Sequence, residues 1–470
     1  MSQSVEIIQK KWWGPTLITP SVNRVLILGC AAWAALAGLT VASAQMAGAY
    51  LSDPISAASQ DPYAIQPNGY YGYGGGSANG LIDRPIFDGQ ILSSMFAAPR
   101  ALFGPTDPFR GRMFLRGEYL GWQIDPMDTP PLVTTNPTGT AQNQAGYLGG
   151  FQTQTLFGGE VNDEFRSGFR VRGGWYVDAS RYWAIGGDYY QLSSGGESFS
   201  ASSTGSQILA RPFYDIVGGR ESAQFIGFPA RVRGDVGIDA TTSLRSFGVN
   251  LQADAINPPG HASQIANDCA REPRMDLIIG YRNINLEDQL SIRENLTALV
   301  PPGGTVNLRE SFLTQNQFHG IELGYVREIP FGRWWFETSG RIALGNNSQT
   351  VTIAGETQLI EAGVPETFPG GLYAQRTNIG TYERSRFAVV PELGANLGFH
   401  VTPRMSVTGG YSFVYISNVV RAGDQIDTDL NPGLIPVEVN PLTGPLRPRF
   451  VFRQTDFFAH GVTAGVDFRF

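Results

Sequence analysis

Hydrolytic catalysis commonly places a histidine beside a carboxylate or a serine, and this chain offers four histidines: His261, His319, His400 and His460. In the strand order derived below, His261 falls in a connection on the short-turn side and His400 at the rim of that side. His319 and His460 fall near the opposite rim, both with outward parity. They form no single constellation, so the expectation is a protein that is not an enzyme. Carboxylates are concentrated at Asp424, Asp427 and Asp429, with Asn431 beside them. Oxygen ligands at such spacing can hold calcium, but the glycine and closing glutamate of an EF-hand are missing. A solvated loop is the plainer reading, and no cofactor is implied.

A larger set of charges is Arg116, Glu118, Arg170, Arg172, Asp178, Asp188, Asp276, Arg282, Glu322, Glu337, Arg341, Glu392 and Arg404. Their chemistry is either ion selection along a pore or pairing across it, and the elements that carry them decide which. Each lies at the polar parity of an alternating segment. The terminal segment shows the pattern: Val462, Ala464, Val466, Phe468 and Phe470 alternate with Gly461, Thr463, Gly465, Asp467 and Arg469. As a strand it presents one apolar and one polar face. It is long enough to cross a bilayer when tilted, which takes about 9–11 residues. The same alternation recurs at 113–122, 169–178, 182–192, 244–253, 275–282, 320–325, 334–344, 387–399 and 405–415.

These segments predict an all-β, up-and-down antiparallel transmembrane barrel of about ten strands, or twelve if 231–239 and 350–357 hold one each. Connections alternate long and short, with one exception at 257–271. Short turns on one side and long loops on the other place both termini in the periplasm. An even strand count permits closure, which removes the edges that lipid would not tolerate. Parity keeps the listed charges off the lipid face, where Arg at mid-depth would cost roughly 2–4 kcal/mol. Trp122, Trp175, Trp183, Trp334 and Trp335 fall near strand ends, where an aromatic girdle would sit.

The N-terminus reads as a signal peptide over residues 1–44. Lys10, Lys11 and Arg24 precede an apolar run from Val25 to Val41, and Ala42-Ser43-Ala44 sets the cleavage between Ala44 and Gln45. Cleavage removes Cys30 and leaves Cys269 alone, so no intramolecular disulfide is expected. Both lysines leave as well, and every basic side chain that remains is Arg or His. Arg suits confined polar space because it stays charged and pairs flatly with carboxylates. Residues 45–110 are rich in Gly, Ser, Pro and Tyr and read as a flexible periplasmic extension; 111–470 is the barrel. The formal net charge of −7 argues against nucleic acid as a partner.

Several segments together resemble beta-barrel porin family seven. They are Arg116-Gly-Glu-Tyr-Leu120, Pro130-Pro-Leu-Val-Thr134, Leu156-Phe-Gly-Gly159 and Arg274-Met-Asp-Leu-Ile-Ile-Gly-Tyr-Arg282 with Ile292-Arg293-Glu294. The resemblance continues through Phe387-Ala-Val-Val-Pro-Glu-Leu-Gly394 and Gly410-Tyr-Ser-Phe413, then Asn418-Val-Val-Arg-Ala-Gly-Asp-Gln-Ile-Asp427. It implies an outer-membrane, porin-like barrel and brings neither a substrate nor catalytic residues. The expected partners are outer-membrane lipid and, through the strand ending at Phe470, the barrel-assembly machinery. The expected function is a narrow porin for ions or small solutes, with the inward charges as its filter. The alternative is a closed structural or adhesive barrel working through its surface loops; an outer-membrane enzyme comes a distant third.

Overall fold

The computed structural model describes residues 112–178, 180–257, 273–301 and 303–470. The signal segment with Ala44 and Gln45, the extension 45–110, His261 and Cys269 lie outside the described residues. Ten strands build the barrel wall: β1 (Met113–Ile124), β2 (Phe165–Tyr176), β3 (Trp183–Leu192), β4 (Val232–Asp254) and β5 (Arg274–Ala298). They continue as β6 (Thr305–Phe331), β7 (Trp334–Glu361), β8 (Gly380–Thr402), β9 (Met405–Val419) and β10 (Thr455–Arg469). Each pairs antiparallel with the next, and β10 pairs with β1 in the register Arg116↔Asp467. The sheet therefore closes on itself with ten strands.

The two segments that raised the alternative of twelve are not separate strands. Residues 231–239 and 350–357 fall largely within the upper parts of β4 and β7. Much of what reads as long loop in the sequence is strand as well. β4 to β7 run 23, 25, 27 and 28 residues, far beyond what a bilayer requires. Their outward faces change character part-way along. Tyr281 on β5, Ile321 and Leu323 on β6, and Ile342 and Leu344 on β7 form part of an exposed apolar belt. Beyond it the outward positions are Asn283, Gln289 and Arg293 on β5 and His319, Gln315 and Arg309 on β6. A uniform alternation of hydropathy fails there because neither face is the lipid face any longer. The wall leaves the apolar layer as a sheet that is polar outside and apolar inside.

That inner apolar face is covered by a cap. Its sheet comprises Met127–Asn136, Gln154–Val161, Ile208–Asp215, Arg220–Gly227 and Asp429–Leu430. Met127, Leu132, Phe157, Leu209, Phe213 and Ile226 of the cap pack with Ile238, Ile292, Phe312 and Ile353 of the wall in one buried cluster. Two further strands extend the upper wall: Gly195–Ser203 pairs with β4, and Val364–Pro369 folds back on β7.

The short-turn end gathers Met113, the turns after β2, β6 and β8, and the end of β10. Gly332 makes the β6–β7 turn with φ +67°, a left-handed conformation that other residues adopt at a cost. Trp175, Trp183 and the exposed Trp334 have outward parity near this end. Trp122 and Trp335 correct the girdle expectation: both are fully buried inside the barrel. The indole of Trp335 occupies space that only a glycine at 398 leaves open.

Candidate functional site

The interior is built of alternating ionic and apolar layers. Nearest the short turns, Arg274 pairs with Asp276 at 2.6 Å and Asp254 at 3.6 Å, and Arg469 pairs with Glu328 at 2.9 Å. The pair Arg469–Glu328 already spans from β10 to β6.

The central layer holds most of the charges singled out in the sequence. Arg116 reaches across the barrel to Glu337 with two hydrogen bonds of 2.7 Å, and it meets Asp467 at 3.1 Å. Asn396 donates to the same Glu337 at 2.9 Å. Glu118 lies between three cations, Arg170 at 3.5 Å and Arg172 and Arg116 at 3.9 Å. A second knot centres on Arg282, whose guanidinium meets Asp188 at 2.6 Å and Glu322 at 2.5 Å. Arg341 joins both carboxylates, at 2.8 and 3.4 Å, and Glu392 completes the knot at 3.9 Å from Arg282. Arg282 is 0 % exposed and Glu322 1 %. A hollow of ≈ 10 Å³ remains among Trp122, Arg170, Arg172, Arg341, Glu392 and Ser412, room for about one water.

Above this knot the lumen is apolar. Leu120, Trp122, Tyr190, Leu244, Ile284, Leu286, Phe318, Val414 and Phe457 form one buried cluster fed by strands all round the barrel. Beyond it, Arg421 enters from the loop after β9 and pairs with Asp288 of β5 and, at 3.7 Å, with Asp125. Asn316 donates to the Val420 carbonyl of the same loop and Asn347 to the Asn418 carbonyl at the end of β9, each at 2.8 Å. Arg211 of the cap, fully buried, joins Glu294 of β5 and, at 2.7 Å, Glu310 of β6.

Two charges from the sequence set are not in the lumen. Asp178 sits past the end of β2, where its carboxylate accepts from Ser180 Oγ and from the backbone N–H groups of Tyr182 (3.1 Å) and Trp183 (2.7 Å). Arg404 is exposed in the β8–β9 turn. Both lie past the point at which the chain turns, where strand parity no longer holds. The reading of the acidic cluster as a solvated loop is corrected as well: Asp427 and Asn431 are buried. Asp427 accepts from Arg447 (3.0 Å) and from the Arg449 backbone N–H (3.1 Å), and Arg447 lies 4.0 Å from Asp429. Arg447 and a backbone N–H take the Asp427 carboxylate, and no metal-holding group of His, Cys, Asp or Glu occurs among the described residues.

The described histidines stay apart. His319 meets Tyr281, His460 meets Tyr411, and His400 meets Ser406. Asp467 and Arg469, on the polar face of the terminal strand, belong with the lumen charges although the sequence set omits them, and Glu328 joins them at the short-turn end. Arg211 and Arg421 carried no parity signal, because both come from connections whose return into the barrel no periodicity encodes.

The seam at Asp125 is expected to respond to pH. Burial, only partly offset by Arg421, raises the Asp125 carboxyl to about 7, with Asp128, Glu160 and Asp288 adding to the rise. Burial likewise raises Asp424 to about 6, again against Arg421. Both values exceed that of an unfolded Asp, about 3.9, so the fold favours the neutral acids. Their penalty is absent below about pH 4 and complete once pH passes the folded values. Hydrogen-exchange protection around 124–127 and 421–426, corrected for intrinsic rate, should therefore be higher at pH 5 than at pH 8. Equal protection would mean that these carboxyls are solvated.

Residues 114–470 match the family model described as Putative beta barrel porin-7. The chain belongs to this family. It is thus a porin-like β-barrel, as the sequence motifs implied. No curated protein matches the sequence. Among solved structures, it is similar to the outer membrane protease OmpT from Escherichia coli, at 8 % identity and a TM-score of 0.35, covering 78 % of this chain and 99 % of that one. It is also similar to a Pseudomonas aeruginosa FadL homologue, at 10 % identity and a TM-score of 0.19, covering 79 % and 96 %. The CymD monoaromatic hydrocarbon channel gives 10 % identity, a TM-score of 0.18 and coverage of 77 % and 89 %. Likenesses this remote carry no inference about what this porin-7 member does.

Proposed function

We propose that this porin-7 member is a sealed outer-membrane barrel whose work is done by the wall and cap it carries beyond the membrane. The observation that supports this best is the order of its interior: a cross-barrel ionic layer followed directly by an apolar layer. A barrel of about eight strands has room only for side chains, and ten strands stay near that limit. Short periplasmic turns and longer extracellular connections are the usual orientation. That orientation places Met113 and Phe470 at the periplasm and the cap at the cell surface. Lipid surrounds the apolar belt, and the strand ending at Phe470 would meet the assembly machinery.

The purified chain in a planar bilayer is expected to be silent. Discrete, reproducible conductance steps from folded protein would overturn the sealed reading. The second reading is a narrow porin, with Arg282, Arg341, Asp188 and Glu322 as its filter. It requires the apolar layer to move aside. Replacing Trp122, Phe318 and Phe457 together with Ala should then convert the silent barrel into a conducting one. A triple variant that folds and stays silent would leave the ionic layer as the seal.

A further inference from the structure

The sealed-barrel reading assigns work to the upper wall without naming what that wall meets, and its outer face carries a candidate site. Two adjoining hollows of ≈ 690 Å³ each lie on it, and Arg293, Arg309 and Glu356 line both. Across the strands the outward side chains stand in rows. One row runs Ser202, Asp235, Asn295, Asn307, Gln358. The next runs Ser200, Gly237, Arg293, Arg309, Glu356. Asn307 donates to Gln358 at 3.3 Å and Asn295 to Asp235 at 2.8 Å, and Arg293 pairs with Asp239 at 2.5 Å. Arg309 and Glu356 face each other in register, yet neither has a hydrogen bond or ion pair among the described residues. The centre of the trough therefore presents one free donor group and one free acceptor group.

We propose that this trough binds an uncharged, extended saccharide chain. These rows hold no aromatic or large apolar side chain, which argues against a lipid tail or an amphipathic helix. Arg293 is balanced by Asp239 and Arg309 by Glu356, which argues against a polyanion or polycation. An extended peptide would use the backbone of a sheet edge, not side chains on its face. A ladder of hydroxyls, carboxamides and paired charges, repeating every ~4.8 Å across the strands, suits a chain of hydroxyl groups. Its place also fits. Arg293 stands roughly 40 Å of strand beyond Tyr281, at ~3.3 Å per residue, well clear of the apolar belt.

The proposal rests on the reading that the upper wall lies outside the membrane. The test uses the full chain in detergent, with heat-modifiable gel mobility confirming a folded barrel. Titration with maltohexaose, mannohexaose and chitohexaose, and with a heparin hexasaccharide as the charged probe, is followed by calorimetry. At least one neutral hexasaccharide should bind, and Arg309→Ala and Glu356→Ala should each weaken it about tenfold. Arg376→Ala, in the connection that leads into β8, should leave binding unchanged. Absence of neutral-saccharide binding, binding indifferent to both variants, or binding of the heparin fragment alone would each overturn the proposal. None of these results bears on the sealed lumen, which conductance tests separately.

Discussion

Arg282→Met is expected to destabilise the barrel by about 3–5 kcal/mol, read as a fall in the urea midpoint of the detergent-solubilised chain. The guanidinium is wholly buried and meets Asp188 and Glu322 at 2.6 and 2.5 Å, with Glu392 near by. Removing it leaves Asp188 and Glu322 with Arg341 as their one remaining ion-pair partner and takes from Glu392 the cation nearest it, beside a hollow with room for about one water. The cost is the desolvation of charges that have lost their partner, and it far exceeds what an exposed pair such as Arg293–Asp239 contributes, about 0–1 kcal/mol. Adding Asp188→Asn and Glu322→Gln to Arg282→Met should recover most of the loss, because neutral amides need no cation.

The same experiment separates the two functional readings. In a water-filled pore the orphaned carboxylates would be solvated, and Arg282→Met would change stability by less than about 1 kcal/mol while altering ion preference. A large loss with rescue by the amides would mean a dry, plugged lumen. A negligible loss would return attention to the narrow porin.

Part of this was legible because period-two alternation carries its own physics. Each strand that contacts lipid must place apolar side chains outward and other side chains inward, so Arg116, Asp188, Arg282, Glu322, Glu337 and Arg341 could be assigned to the lumen from parity alone. The same rule erred at Asp178 and Arg404, where the chain has already turned. It also shortened β4 to β7, because it looked for apolar side chains outside when the upper wall carries them inside, under the cap. Nor could parity distinguish a filter from a plug. That depends on which side chains meet across the lumen, as Arg116 meets Glu337 over a sequence separation of 221. The apolar layer was hidden for a related reason. Its Trp122 lies near a strand end, where a girdle residue and a plug residue look alike in sequence.

Arg211→Met is expected to loosen the cap while leaving the membrane barrel folded. Arg211 comes from the cap strand Ile208–Asp215 and is fully buried. It ties Glu294 of β5 to Glu310 of β6 and lies 4.4 Å over the ring of Tyr373. Burial works against its charge, but Glu310 and Glu294 outweigh that and hold its pKa above the usual value for Arg. Glu310 also accepts from the backbone N–H groups of Tyr373 (2.6 Å) and Ala374 (2.7 Å), so one side chain secures both a cap strand and the connection after β7. Without the cation, two buried carboxylates face each other at a cost of about 3–5 kcal/mol. Relieving that cost means opening the cap to water. Hydrogen-exchange protection over 208–215 and 370–378 should fall by roughly 10²–10⁴-fold if those amides exchange through cap opening. Glu294→Gln with Glu310→Gln in the same background should restore it. Heat-modifiable mobility and protection in β1 and β10 should not move, because their pairing and the central ionic layer do not involve Arg211. A loss confined to the cap would make it a separable unit standing on a sealed barrel. Loss of β1 and β10 as well would mean that the cap holds the barrel closed, and that wall and cap fold only as one body.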